Sequence, residues 1–366
     1  FFIQGMYCIL LETDGMQYVI TNSQTVLQTV SGLLKAAVLL LTNNLILMQA
    51  SYCLVASAQL IYVTLYARRR YKWLDFSVSP DSGAISQKNS VLVHQISAMV
   101  FNNTDILLLS FLTDFSTVSV YYIYNLFFSQ VEAFTGSVVK GFNFALGQLF
   151  SVDRQAFIKK FRIYESLYVT ANFIVYTLMC VFLLPVIQIY TGGINDANYI
   201  NPALVLLFAV AKMISAAKIP VSQIIEYSGS FNATKWHAVC EMIINLTFTV
   251  GGIFAWGICG ALAGTVAAIA FRYFVAVVFA NKKVLMRSAK DSFLLFAVNA
   301  AVFLIVFFVF NTTHFCNLGF WKLCLNGVIH MLWIIPLYVL ANFVLRPDVY
   351  KNSILSLKGR KNERDN

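Results

Sequence analysis

Stretches of roughly 20 apolar residues recur along the whole chain, and each is long enough to cross the ~30 Å hydrocarbon core of a membrane as an α-helix. Lipid offers the backbone no hydrogen-bond partners, so only helices and closed β-barrels span it. Barrel strands alternate apolar and polar residues, whereas these stretches are continuous. The composition agrees, because 11% of the residues are charged, against about 25% in soluble domains. We therefore predict an all-α polytopic membrane protein.

The chain opens with FFIQGMYCILL, which has neither an initiator methionine nor a basic flank. We interpret this opening as the second half of a membrane span, and we expect further spans upstream of it. The spans that we predict are residues 1–11 (incomplete), 23–41, 44–67, 91–112, 117–147, 164–190, 200–227, 236–255, 258–281, 290–310 and 323–345.

Basic residues in the predicted loops indicate the orientation of the chain. Twenty of the 26 Lys and Arg residues fall in alternate loops, such as 68–90 and 148–163, and in the tail after residue 345. The intervening loops hold one, Lys322. Because Lys and Arg concentrate on the cytoplasmic side, we predict a multi-pass membrane protein with a cytoplasmic C-terminus. The net charge of +10 is then explained without a nucleic-acid partner, and the basic residues have membrane lipids as partners.

No pattern in the sequence indicates an enzyme. We find no nucleotide-binding loop, no metal-ligand cluster and no nucleophile–base pair, so we predict no catalytic residues, no metal and no cofactor. The predicted outer loops are no longer than roughly a dozen residues, which is short for extracytoplasmic chemistry. The cysteines lie mostly inside apolar stretches, where they act as small hydrophobic residues.

Ionisable residues stand out inside the predicted spans. Each charge at the centre of a bilayer costs about 2.5–3.5 kcal/mol, so the central ones must face other helices or a water-filled cavity. They are Lys35, Asp105, Glu132, Lys140, Lys212, Lys218, Glu226, Glu241 and Arg272.

Helical periodicity arranges these and other polar residues in stripes. Asn102 and Asp105 share one stripe of span 91–112, and we predict that both point inward. Asn125, Glu132 and Lys140 line up in the next span. A third stripe, in span 200–227, contains Lys212, Ser215, Gln223 and Glu226. Two explanations remain open: polar pairing between helices in a closed bundle, and the lining of a polar cavity.

The balance of charges favours a cavity for an anionic ligand. Beyond the first two residues of each span, the spans hold five positive and four negative side chains. Glu226 and Glu241 lie near span ends, where a structural role is the simpler explanation. Setting them aside leaves an excess of cations near the middle of the membrane, which an anionic ligand would neutralise.

Several stretches resemble one family. SVYYIYNLFFSQVEAFTGSVVKGFNFALGQLF (119–150) is followed by KKFRIYESLYVTANFIVYTLMCVFLLPVIQIYTGGINDANY (159–199). EMIINLTFTV (241–250) and GICGALAGTVAAIAFRYF (257–274) come later in the same order. Together they resemble the polysaccharide biosynthesis flippases, which move O-antigen and capsule repeat units. These flippases belong to the multidrug/oligosaccharidyl-lipid/polysaccharide exporter superfamily.

The resemblance implies a transporter of two six-helix lobes followed by two extra C-terminal helices. On that template the first three spans and part of the fourth are missing. Residues 1–67 would complete the N-terminal lobe, 68–90 would be a cytoplasmic linker, and 91–281 would form the C-terminal lobe. Residues 282–345 would form the two additional transmembrane helices, and 346–366 a basic cytoplasmic tail.

The resemblance also implies a substrate and its contacts. The substrate would be an undecaprenyl-pyrophosphate oligosaccharide, moved across the bacterial cytoplasmic (inner) membrane by alternating access for surface polysaccharide biosynthesis. A proton or sodium ion would be the coupling ion, and a polysaccharide polymerase and chain-length machinery would be partners. The implied substrate contacts are Lys35, Asn102, Asn125, Lys140, Lys212 and Arg272. Asp105 and Glu132 would tune the cavity or bind the coupling cation.

Three alternatives remain. A cation-coupled drug or metabolite exporter of the same superfamily would need an acidic, apolar cavity, which the excess of cations opposes. A flippase for a peptidoglycan lipid precursor fits the quoted stretches less well. A membrane-embedded glycan enzyme is opposed by the short outer loops.

Overall fold

The protein is entirely helical in its regular secondary structure. A computed structural model describes residues 2–74, 83, 86–194, 196–309 and 319–349, and no β-strand occurs within them. The helices are α1 (Phe2–Thr13), α2 (Gln17–Thr42), α3 (Leu45–Arg70), α4 (Lys88–Leu112), α5 (Phe115–Val152), α6 (Arg154–Tyr190), α7 (Pro202–Tyr227), α8 (Phe231–Phe279, continued by a π-helical turn at Ala280–Val284), α9 (Lys290–Val309) and α10 (Phe320–Leu345).

Seven of these helices are long and apolar enough to cross a membrane: α2, α3, α6, α7, α8, α9 and α10. The prediction of an all-α polytopic membrane protein is therefore confirmed. Helices α4 and α5, which carry two of the predicted polar stripes, are not among the seven. Polar residues lower the mean hydropathy of a helix, and the membrane crossing of α4 and α5 stays a prediction.

Side chains of Asn and Asp begin several helices. Asn44, Asp153 and Asn201 each accept hydrogen bonds from backbone N–H groups two and three residues later, which satisfies donors that the first turn leaves unpaired. Pro202 follows Asn201 at the first helical position, where its missing N–H does no harm. Asp153 alone separates α5 from α6. From the sequence we expect the connection 148–163 to contain a short helix in the cytoplasmic interface. The structure differs in that these residues belong to the ends of α5 and α6, which meet at the helix cap Asp153.

Helix α8 reverses direction within the membrane domain. Trp256 and Gly257 have non-helical backbone angles, and Gly257 lies at φ +59° and ψ −136°. Only glycine adopts that region readily. The turn separates a first arm (231–255) from a second arm (258–279). It confirms the predicted break between spans 236–255 and 258–281.

The two arms of α8 pack closely because glycines face each other. A Cβ atom on Gly260 would lie 1.9 Å from the carbonyl oxygen of Gly252, and one on Gly252 would lie 2.3 Å from that of Gly260. A Cβ on Gly264 would lie 2.6 Å from the backbone nitrogen of Thr249. Small residues at a helix interface allow this kind of backbone approach in membranes.

The chain divides into two compact units. Unit 1 comprises Phe1–Ala84 with Ser137–Gln148, and unit 2 comprises Ile85–Gly136 with Leu149–Asn366. In unit 1, buried Tyr7 and Leu11 of α1 pack with Ile20, Val63 and other apolar residues of α2 and α3. The division into lobes, linker and tail stays a prediction. Residues 75–82, 84 and 85 of the predicted linker and the tail beyond residue 349 lie outside the described residues.

A buried ion network in unit 2 connects α6 with α9, α10 and the π-helical turn. The Glu165 side chain is 3% exposed and accepts a 2.6 Å hydrogen bond from the Ser292 hydroxyl. Guanidinium nitrogens of Arg287 and Arg346 lie 3.6 and 3.7 Å from its other oxygen. Arg346 also donates to the backbone carbonyl of Asp291. The network therefore holds the last two helices against α6.

Replacing Glu165 with alanine should destabilise the protein by about 3–5 kcal/mol, because the buried guanidinium groups would lose their carboxylate. Thermal unfolding in a mild detergent measures the effect. Asp348→Asn is the matched control, since the Asp348 side chain is 53% exposed where it pairs with Arg162. An exposed pair of this kind contributes at most about 1 kcal/mol. Equal losses in both variants would contradict the proposed importance of the network.

Candidate functional site

The carboxylate of Asp105 lies buried in unit 2, on the face of α4 that packs against α8. Asp105 is 6% exposed. The Tyr121 hydroxyl of α5 donates to it at 3.0 Å. The Thr265 hydroxyl lies 2.9 and 2.7 Å from its two oxygens, and the Thr249 hydroxyl lies 3.5 Å from one of them. Two helices, α5 and α8, therefore place neutral hydroxyl groups around one carboxylate of α4.

Asn245 completes this group, which we call the Asp105 cluster: Asp105, Tyr121, Asn245, Thr249 and Thr265. The Asn245 side chain is fully buried, and its amide donates to the hydroxyls of Thr265 and Thr249 at 3.0 and 3.4 Å. Its carbonyl oxygen is buried without a hydrogen-bond partner. A buried acceptor without a donor is rare, and a bound ion is one of its physical explanations.

The Asp105 carboxylate has no cationic side chain beside it within the described residues: the ion pairs formed there involve other carboxylates. A buried, uncompensated carboxylate costs several kcal/mol in a low-dielectric interior. A proton or a small metal ion would remove that cost. Carboxylate, amide and hydroxyl oxygens are ligands that hard cations prefer. The cluster is therefore chemically suited to a proton or a hard cation.

The hairpin of α8 positions three members of the cluster. Asn245 and Thr249 are four residues apart on the first arm, so they share one face. Thr265 lies on the second arm, directly after Gly264, whose backbone touches that of Thr249. The glycine packing brings Thr265 within 3.0 Å of the Asn245 amide. The shape of the cluster thus depends on the absence of side chains at the glycines.

Five other charged residues of the predicted spans in unit 2 form ion pairs. The Lys212 ammonium contacts the Glu132 carboxylate at 2.5 Å. Glu241 contacts both the Lys218 ammonium at 2.9 Å and the Arg272 guanidinium at 3.5 Å. Two of the residues predicted to contact the substrate, Lys212 and Arg272, therefore already have carboxylate partners. Glu241, interpreted from the sequence as structural, bridges two cations.

The remaining predicted contacts differ in their surroundings. In unit 1 the Lys35 ammonium lies 4.2 Å from the centre of the Tyr52 ring, and Lys140 is exposed. In unit 2 Asn125 is half-buried, and Asn102 is exposed although Asp105 is buried. The predicted inward pair of Asn102 and Asp105 therefore does not share one buried environment.

Comparisons with known proteins add no family assignment: no protein-family model, curated protein or solved structure matches this chain.

Several residues of these clusters were not found by sequence reasoning. Asn245, Thr249 and Thr265 are neutral, and such residues inside apolar helices usually bond to their own backbone. Glu165 lies just inside the predicted span 164–190 and was not singled out. One sequence signal could have identified these three neutral residues: they lie on the two arms of α8 close to the glycines through which the arms pack, Gly252, Gly260 and Gly264.

Glu241→Gln should lower stability by about 3 kcal/mol, because it leaves Lys218 and Arg272 as neighbouring buried cations. The double variant Glu241→Gln with Lys218→Met should recover part of the loss, since one of the two repelling charges is gone. Unfolding in detergent measures both variants. A double variant no more stable than the single one would show that the bridge is not the source of the loss.

Proposed function

We propose that this protein is a cation-coupled transporter that moves lipid-linked oligosaccharides across the cytoplasmic membrane of a bacterium. The observation that carries the proposal is the Asp105 cluster: a buried carboxylate with neutral partners and an unpaired amide oxygen in a polytopic membrane protein. Ionisable residues in such positions commonly mark ion pathways or proton relays.

Coupling requires that the cation changes the relative stability of two conformations. With an empty, ionised Asp105 the conformation that buries the carboxylate is penalised by several kcal/mol, whereas a bound cation removes that penalty. The α8 hairpin supplies three of the five cluster residues. Cation binding would therefore change how tightly the hairpin packs against α4.

The resemblance to polysaccharide flippases supports the choice of cargo. Its diphosphate group needs cations, and Lys35 and Lys140 have no ion pair within the described residues. Lys212 and Arg272 would contact the substrate while keeping their carboxylate partners. Lys212 with Glu132 is a neutral pair, and Arg272 with Lys218 and Glu241 carries one net positive charge. Asn102 and Asn125 would bind sugar hydroxyls, and the Glu132 carboxylate would offset the positive charge of Lys212.

A cation-coupled exporter of drugs or metabolites is the second candidate. The ion pairs of Lys212 with Glu132 and of Arg272 with Glu241 favour this second candidate. Because of these pairs, unit 2 has fewer unpaired cations than the sequence count indicates. Such an exporter would bind organic cations, whereas the flippase binds an anionic lipid. The same Asp105 cluster serves both candidates.

Depletion of the protein in its source bacterium tests the cargo. Lipid-linked repeat units should accumulate in the membrane, and surface polysaccharide should disappear, if the protein exports them. Both quantities are measured by lipid extraction with mass spectrometry and by staining of surface glycan. Unchanged surface glycan with increased sensitivity to cationic drugs would favour the second candidate instead.

A further inference from the structure

A shallow pocket in unit 1 lies at the end of α3 that the loop charges predict to be cytoplasmic. We call it the α3 arginine pocket, and it is lined by Tyr62, Leu65, Tyr66, Arg69 and Arg70. Its volume is about 400 Å³, within the range of small-ligand pockets, about 300–1,000 Å³. Tyr62, Tyr66 and Arg69 are three and four residues apart, so they share one face of the helix.

The two arginines have no carboxylate partner within the described residues, where all ion pairs involve other cations. The preceding residue, Arg68, behaves differently: its guanidinium donates to the Tyr7 hydroxyl of α1 at 3.2 Å. Arg68 therefore contacts α1, whereas Arg69 and Arg70 line the pocket.

The chemistry of this lining matches a phosphate group. Guanidinium groups bind phosphate oxygens through two parallel hydrogen bonds, and tyrosine hydroxyls donate a further one. Exposed tyrosines on a membrane helix commonly lie at headgroup depth. Basic residues directly after a membrane span attract anionic lipids on the cytoplasmic side.

We infer that the α3 arginine pocket binds the phosphate group of a membrane lipid. Two lipids offer this chemistry: a glycerophospholipid such as phosphatidylglycerol, and a polyprenyl diphosphate. The second occupant would make the pocket a contact for the transported lipid, and that reading rests on the proposed function. The phosphate site itself does not depend on it.

Native mass spectrometry of the purified full-length protein tests the inference with three probes: phosphatidylglycerol, undecaprenyl diphosphate and undecaprenol. The phosphate-bearing probes should bind more tightly than undecaprenol. Arg69→Gln with Arg70→Gln should weaken phosphate-lipid binding by about tenfold or more, as expected for the loss of two charge-assisted hydrogen-bonding groups. Replacement of both residues by lysine should give an intermediate loss, because the charge remains but the planar fork is lost.

Two matched controls distinguish a specific phosphate site from a general attraction of anionic lipids to basic residues. Lys72→Gln removes an exposed charge two residues beyond the pocket, and Arg68→Gln removes the neighbouring guanidinium. Both should change binding by less than about twofold, because neither side chain lines the pocket. Wild-type affinity in the double glutamine variant, or an equal loss in Lys72→Gln, would overturn the inference. If the glutamine variant does not fold, unchanged affinity in the lysine variant would overturn it.

The choice of probe also separates the two occupants. Selective loss of undecaprenyl diphosphate binding would assign the pocket to the transported lipid. Selective loss of phosphatidylglycerol binding would support the phosphate site and reject its link to transport. Failure of the depletion experiment above, with the pocket variants still losing phosphatidylglycerol, would reject the proposed cargo and leave this site standing.

Discussion

Gly260→Val is expected to prevent the accumulation of folded protein. A Cβ atom at this position would lie 1.9 Å from the carbonyl oxygen of Gly252, so the two arms of α8 would have to separate. Overpacking of this kind costs about 3 kcal/mol or more, a large part of a typical folding stability of about 5–15 kcal/mol. Size-exclusion chromatography of detergent-solubilised protein measures the folded yield.

Gly251→Ala is the matched control for this prediction. Gly251 adjoins Gly252 in the same helical arm, but a Cβ atom there would meet no other atom within 4 Å. Alanine favours helix by up to about 1 kcal/mol relative to glycine, so folding should be unchanged or slightly improved. A normal yield of folded Gly260→Val would show that the arms do not need their close contact.

Asp105→Asn is expected to abolish cation binding. Asparagine keeps the size of the side chain but removes the charge that attracts a proton or metal ion. In the wild-type protein, a cation present at 100 times its dissociation constant should stabilise the folded state by about 2.7 kcal/mol. Thermal unfolding with sodium in place of choline, and at several pH values, measures that stabilisation.

The control for this charge change is Asp114→Asn. Asp114 is exposed and begins α5, accepting hydrogen bonds from the side chain and backbone N–H of Thr117. These hydrogen bonds hold the pKa of Asp114 below its ordinary value. Asparagine caps helices about as well as aspartate, so cation-dependent stabilisation should remain. Equal cation-dependent stabilisation of wild-type and Asp105→Asn protein would exclude the Asp105 cluster as the cation site.

The helices of this protein could largely be predicted from its apolar stretches, because the membrane requires helices of a minimum length. The break at Trp256 and Gly257 was also predictable, since the apolar stretch 236–281 is roughly twice as long as the ~20 residues that one span needs. The junction at Asp153 was not. Its basic and aromatic neighbours indicated a separate short helix at the membrane interface, whereas the position of the Asp153 cap depends on local hydrogen bonds to Gln155 and Ala156.

Asp105 was recognised from the sequence because a carboxylate inside a membrane span needs an explanation. The partners of Asp105 were not recognised. Which residues of α8 face Asp105 depends on how the two arms of the hairpin pack, and the sequence pattern does not reveal that packing. The same limitation applied to charges. Counting cations within spans predicted an excess, but it could not reveal that Glu241 lies between Lys218 and Arg272.

The central claim, cation-coupled transport of a lipid-linked oligosaccharide, is tested most directly with purified full-length protein in vesicles. The vesicles contain lipid-linked oligosaccharide extracted from the source organism, and a glycan-specific lectin measures the fraction exposed on the outer leaflet. We expect exposure to rise when a sodium or proton gradient is imposed, to stop when an ionophore dissipates it, and to be absent with Asp105→Asn. Exposure that is the same with and without gradients, or that persists in Asp105→Asn, would contradict the claim.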